Sequence, residues 1–148
     1  MYKRQVEQVV LAIVVTTGIA SIFLTKDCTP DYNSGLAHAV FYALTSYPVI
    51  EKLHLHGEVV GFGVLLALLV DRQEEEFEKI YKLNREIGLP VSLKEIEITE
   101  DEWEESMNRI PEMSDVAHYP YRVTKEMLRD AMDRLKERAG KDAYDTEK

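Results

Sequence analysis

Cysteine is nearly missing from this 148-residue chain, where Cys28 stands alone. One thiol cannot close an internal disulfide, which excludes a stapled secreted scaffold and favours a reducing, cytoplasmic compartment. An excess of basic charge is missing too. Lys and Arg number 18 against 27 Asp and Glu, a formal net charge of -9 at pH 7. Nucleic-acid binding needs a basic footprint to neutralise phosphates, so that class is excluded. No G-x-G-x-x-G and no P-loop is present, so the chain has no dinucleotide cradle of its own. The serine-hydrolase G-x-S-x-G is absent as well. Internal repeats and low-complexity segments are lacking.

A membrane-length apolar run is also missing. Val9 to Leu24 (VVLAIVVTTGIASIFL) follows Lys3 and Arg4 in the manner of a signal peptide. Yet Glu7 and Gln8 interrupt the approach, and no A-x-A site follows. The run is shorter than the roughly 20 residues that span a bilayer as a helix. Thr16, Thr17, Gly18 and Ser21 dilute it further. The expectation is therefore a buried core helix over about Lys3 to Leu24, apolar all round, with no membrane span.

What is present suits one all-α domain. Hydrophobic residues make up 45% and charged residues 30%. The expected domain covers residues 1–140, with 141–148 a frayed tail. Asp27 to Ser34 reads as a loop, with Pro30 and Asn33 as breakers. Ser34 could cap a helix to about Ser46, and Pro48 interrupts the pattern. Val59 to Val70 has no polar face and reads as buried. Its Gly61 and Gly63 would let another helix or a ligand come close. Glu74 to Ile87 has the three-four spacing of an amphipathic helix, stopped by Gly88 and Pro90. Val91 to Ile98 is a turn or linker. Thr99 and Glu102 have capping-box spacing for a helix ending near Pro111. Thr124 can cap a last helix, whose stripe of Met127, Leu128, Ala131, Met132 and Leu135 ends at Gly140.

The chemistry rests on four histidines, His38, His54, His56 and His118. His38 lies in an apolar helical stretch, where a lone histidine is more often a packing residue than a ligand. His56 opens a buried helix. Two histidines at adjacent helix ends can converge on one metal ion, and imidazole suits zinc and iron. Two ligands are too few for a catalytic zinc, which keeps three protein ligands and a water. Nothing local activates Cys28, which reads as inert. The acidic run from Glu74 to Glu105 reads as a solvated helix surface.

Together these segments resemble the C-terminal helical domain of glycerol dehydrogenase, in the iron-containing (group III) alcohol dehydrogenase superfamily. Gly35-Leu36-Ala37-His38-Ala39-Val40 is similar to the family's G-x-A-H-A-[IV], and Leu44-Thr45 continues it. His56 to Gly63 (HGEVVGFG) looks like H-G-E-x-V-A-F-G. Gly88 to Leu93 (GLPVSL) resembles G-L-P-V-T-L, and Asp115 to Met127 resembles a late segment ending in V-T-x-E. The resemblance covers about residues 6–140.

The resemblance implies an all-α helical bundle without the Rossmann-like domain. It implies a divalent metal, zinc or iron, held near the domain interface by His38 and His56. NAD would be bound only through a missing domain. The family's third ligand, an aspartate, is expected upstream of the matched region, so metal would be weakly held. Where the family branch often has a histidine followed by Asn-Gly, this chain has Phe41, Tyr42 and Ala43, which alters the substrate pocket. The implied function is the metal-binding helical half of an NAD-dependent polyol or alcohol oxidoreductase, inactive alone. A separate dinucleotide-binding subunit would complete it. The alternative is a non-catalytic stand-alone domain that binds metal, ligand or protein. Met1, just before the first helix, favours a self-contained chain. A surface freed of its former partner domain favours a homo-oligomer.

Overall fold

The computed structural model describes residues 2–25 and 34–146. The expected loop over 27–33, with Cys28 in it, and tail residues 147–148 lie outside them. Seven α-helices and two short 3-10 turns account for the described fold, and no strand occurs among the described residues. Contacts divide the chain into two units, 1–33 and 34–148.

The first unit holds α1 (Tyr2–Thr25). Its length matches the expected helix. Among its described side chains, nine large aliphatics have 44–68% of their surface exposed. A uniformly apolar helix says only that its surface is costly to leave in water. It does not say what covers it. No described helix is long and apolar enough to cross a membrane.

The second unit is built on α4 (His56–Val70). Around it lie α2 (Leu36–Leu44), α5 (Glu74–Ile87) and α7 (Lys125–Thr146), each packed against it. The short α3 (Pro48–Leu53) joins α2 to α4, and α6 (Glu100–Arg109) packs on α2 and α7. Val59, Phe62, Leu65, Leu66 and Leu69 of α4 are buried, as its lack of a polar face requires. Gly63 explains how α2 comes so near. A Cβ there would stand 2.6 Å from the Ala37 carbonyl oxygen, so only glycine allows this crossing.

Local stop and start signals act where expected. Gly88 ends α5 in the left-handed region at φ 76°. Thr99 and Glu102 form the capping box of α6: the Glu102 N–H donates to Thr99 Oγ1 at 3.3 Å, and the Thr99 N–H to Glu102 Oε2 at 2.8 Å. Thr99→Ala is expected to cost about 1 kcal/mol, read as a lowered midpoint in urea unfolding. An unchanged midpoint would show that the cap contributes nothing. Thr124 accepts from the Met127 N–H at 3.3 Å at the start of α7.

Three boundaries differ from expectation. Pro48 does not merely interrupt; it stands in the first turn of α3, where its missing N–H costs nothing. The N-cap of α2 is Gly35 rather than Ser34, and the helix stops at Leu44. The last helix does not stop at Gly140 but continues to Thr146. One long-range and one local side-chain bond hold the added turn. Asp142 accepts from Tyr81 Oη of α5 at 2.9 Å and from the Arg138 guanidinium, which also lies 4.5 Å over the Tyr81 ring.

Burial, then the hydrogen bond to Asp142, pushes Tyr81 up to about 12. The folded chain thus favours the neutral phenol. Its contribution to stability is full below an unfolded value of 10.0 and is lost as pH rises toward about 12. Tyr81→Phe should flatten alkaline unfolding in that window, followed by circular dichroism. The same alkaline loss in Tyr81→Phe would rule Tyr81 out as the cause.

Candidate functional site

The two histidines singled out by sequence converge. His38 lies in the first turn of α2 and His56 is the first residue of α4, and their ring centroids are 5.6 Å apart, inclined at 45°. The close α2–α4 crossing brings them together. Two backbone devices fix the helix starts. The Leu36 N–H, one of the unsatisfied donors at the head of α2, donates to Tyr119 Oη at 3.2 Å. At the head of α4, the Leu55 N–H donates to Glu58 Oε2 at 2.9 Å.

His38 is half-buried and His56 exposed. Burial first, then the neighbouring His56, holds His38 below the ordinary imidazole value of 6.5, while Asp115 opposes the shift. The neutral ring keeps a lone pair for a ligand or a hydrogen bond at neutral pH.

Phe41 and Tyr42 belong to the same cluster. The Phe41 ring meets His56 edge-on, at 4.4 Å and 81°. Tyr42 lies 6.3 Å from His38 and 5.4 Å from Phe41 and is exposed. The pair of imidazoles therefore has an aromatic wall on one side.

The other histidines are elsewhere. His54 sits between two carboxylates, with Nδ1 3.6 Å from Glu58 and Nε2 3.5 Å from Glu97. Glu97 takes a left-handed backbone, φ 55°. His118 is exposed on the segment after the second 3-10 turn (Ser114–Val116).

Sequence reasoning missed two contributors. Asp115 is buried, with 9% of its surface exposed, and its charge reaches His38. Tyr119 pins the start of the helix that carries His38. Both fall in the late DVAHYPYRV stretch, whose match to the resembled domain was the available signal. Their roles depend on partners far away in the sequence, 83 residues for Tyr119 and Leu36, which no local pattern reveals.

Among the described residues, no group of three or more His, Cys, Asp or Glu side chains is placed to hold a metal ion. The spacing of the pair still fits a shared ion. Two imidazoles on one tetrahedral zinc, with Zn–N of about 2.0–2.1 Å, have ring centroids about 5 Å apart. The described residues thus supply two imidazoles of the three protein ligands that a catalytic zinc normally takes.

The second unit is all-helical and carries the histidine pair at a helix crossing. No family model matches the chain. Individual relatives do: the chain is 42% identical to glycerol dehydrogenase of Pseudomonas putida over 67 residues, 44% of this chain and 18% of that protein. It is 44% identical to glycerol dehydrogenase of Thermotoga maritima over 63 residues, 40% of this chain and 16% of that protein. Glycerol-1-phosphate dehydrogenase of Nitrosopumilus maritimus is 28% identical over 97 residues. A probable glycerol dehydrogenase from Sinorhizobium meliloti superposes with a TM-score of 0.56 at 28% identity, covering 68% of this chain and 30% of that one. The chain spans under a fifth of the length of the first two relatives. It resembles the C-terminal helical domain of glycerol dehydrogenase.

Proposed function

We propose that this chain is the metal-binding helical half of an NAD-dependent oxidoreductase acting on a small polyol or alcohol, in the cytoplasm. It works only with a separate dinucleotide-binding subunit. The observation that carries the reading is the 5.6 Å spacing of His38 and His56. A bound zinc or iron would supply Lewis-acid polarisation of the alcohol oxygen. The chain's own residues hold and shape the site. His38, kept neutral by burial, and His56 offer nitrogen ligands. Tyr119 and Glu58 fix the helix starts from which both project. Phe41 and Tyr42 form the wall that excludes water from one side of the pair and face the substrate. A third ligand, a carboxylate, and NAD come from the partner subunit.

A second reading is a non-catalytic domain that binds metal, ligand or protein. Phe41 favours it, because a ring that can neither ligate nor donate a hydrogen bond packs on His56. Calorimetric titration of the full chain with zinc tests the metal site. One zinc per chain is expected, and no uptake removes it. The nucleotide-binding half of a glycerol dehydrogenase, added to the zinc-loaded chain, separates the two readings. NADH formation from glycerol supports the enzyme, and zinc uptake without turnover supports the second.

A further inference from the structure

Among the described residues, three polar side chains are buried: Asn84, Ser106 and Asp115. Two have a hydrogen-bond partner in the fold. Asn84 Nδ2 donates to the Gly61 carbonyl at 3.4 Å, and Ser106 Oγ donates to the Glu102 carbonyl at 2.8 Å. Asp115 differs. Its carboxylate makes no hydrogen bond or ion pair with any described residue, although only 9% of its surface is exposed. Buried polar groups are nearly always bonded, and a buried charge is paired or serves a metal. A buried carboxylate without a partner is a cost to the fold, and a function offsets it.

The segment that carries Asp115 is fixed against the helix of His38. Ser114–Val116 is a 3-10 turn, and it packs on α2. The Ala117 N–H donates to the Ser114 carbonyl at 3.1 Å, and the Tyr119 N–H to the Val116 carbonyl at 3.2 Å. Tyr119 then fastens the segment to the head of α2 by accepting the Leu36 N–H. So placed, the Asp115 charge acts on His38. His38 does not neutralise it, because burial and the neighbouring His56 favour the uncharged ring. A divalent ion shared by the two imidazoles would. Asp115 is not itself a third ligand, since no group of three or more His, Cys, Asp or Glu among the described residues is placed to hold a metal. It acts from outside the ligand set, where a carboxylate raises the basicity of a ligating imidazole and adds negative charge near the ion.

We propose that Asp115 is the positioning residue of the histidine pair: its buried, unpartnered carboxylate, on the turn packed against α2, supplies the counter-charge that tightens the hold of His38 and His56 on a divalent cation. This rests on the metal-site reading and adds to it a determinant from the far end of the same chain.

Zinc affinity of the full chain, measured by chelator competition, provides the first readout. Asp115→Asn keeps the shape and removes the charge, and should weaken zinc binding by about 10- to 100-fold. Asp115→Glu keeps the charge and changes the shape, and should restore affinity to within roughly threefold of wild type. Urea unfolding without metal provides the second. The Asp115→Asn midpoint should lie at or above that of wild type, because a buried charge without a partner has been removed. Weaker zinc binding with undiminished metal-free stability is the signature that a packing role does not produce. Wild-type affinity in Asp115→Asn overturns the proposal and leaves the His38–His56 site standing. Equal loss in the Asn and Glu variants, or a lowered metal-free midpoint in Asp115→Asn, assigns Asp115 to packing and overturns it too. A wild-type chain that takes up no zinc removes the metal site itself, and this role of Asp115 with it.

Discussion

His38→Ala and His56→Ala are each expected to weaken zinc binding by more than about 100-fold, because residues that merely support a ligand already cost 10- to 100-fold when removed. The two ring centroids stand 5.6 Å apart, so on the proposed reading one ion would need both. Removing either leaves one imidazole, which holds zinc no better than a surface histidine. His54→Ala is the control. Its ring lies between Glu58 and Glu97 and not in the pair, so its loss should cost less than roughly tenfold. Chelator competition provides the readout. If either alanine variant keeps the wild-type affinity, the pair is a packing contact and not a metal site.

The second large effect concerns Gly63. In an exposed helix, alanine is about 1 kcal/mol more favourable than glycine. Here the sign should reverse. The added methyl would stand 2.6 Å from the carbonyl oxygen and 2.9 Å from the Cα of Ala37, both backbone atoms that cannot turn away. Overpacking of this kind costs about 2–3 kcal/mol, so Gly63→Ala should lower Tm by roughly 10 °C. Gly57→Ala, with nothing within 4 Å of the new Cβ, serves as comparison. Calorimetric unfolding that ranks Gly63→Ala at or above wild type would show that α2 and α4 separate without cost.

Features that depend on neighbouring residues were legible in the sequence. The left-handed Gly88 and the Thr99–Glu102 box need only a few adjacent positions, and both appear as expected. The convergence of His38 and His56 was legible in part. The sequence placed His38 in an apolar helical stretch and His56 at a helix start, and family resemblance paired them. Features that depend on distant residues were not legible. Gly140 is a reasonable helix stop, yet α7 passes it because Tyr81, 61 residues away, bonds Asp142. The all-round apolar character of α1 was equally visible in the letters, but the surface it meets is not a property of its own sequence.

The contact of Ala37 with Gly63 also sets the mechanics of the histidine pair. His38 is the residue next to that contact, so it sits almost on the pivot of the crossing. His56 lies seven residues before Gly63, at the end of a lever about 10 Å long. A change of about 5° in the crossing angle would leave His38 in place and carry His56 by about 0.9 Å, close to half a metal–nitrogen bond. Whatever twists α4 against α2 therefore tunes the separation of the two rings, and a missing methyl group seven residues away sets its resting value.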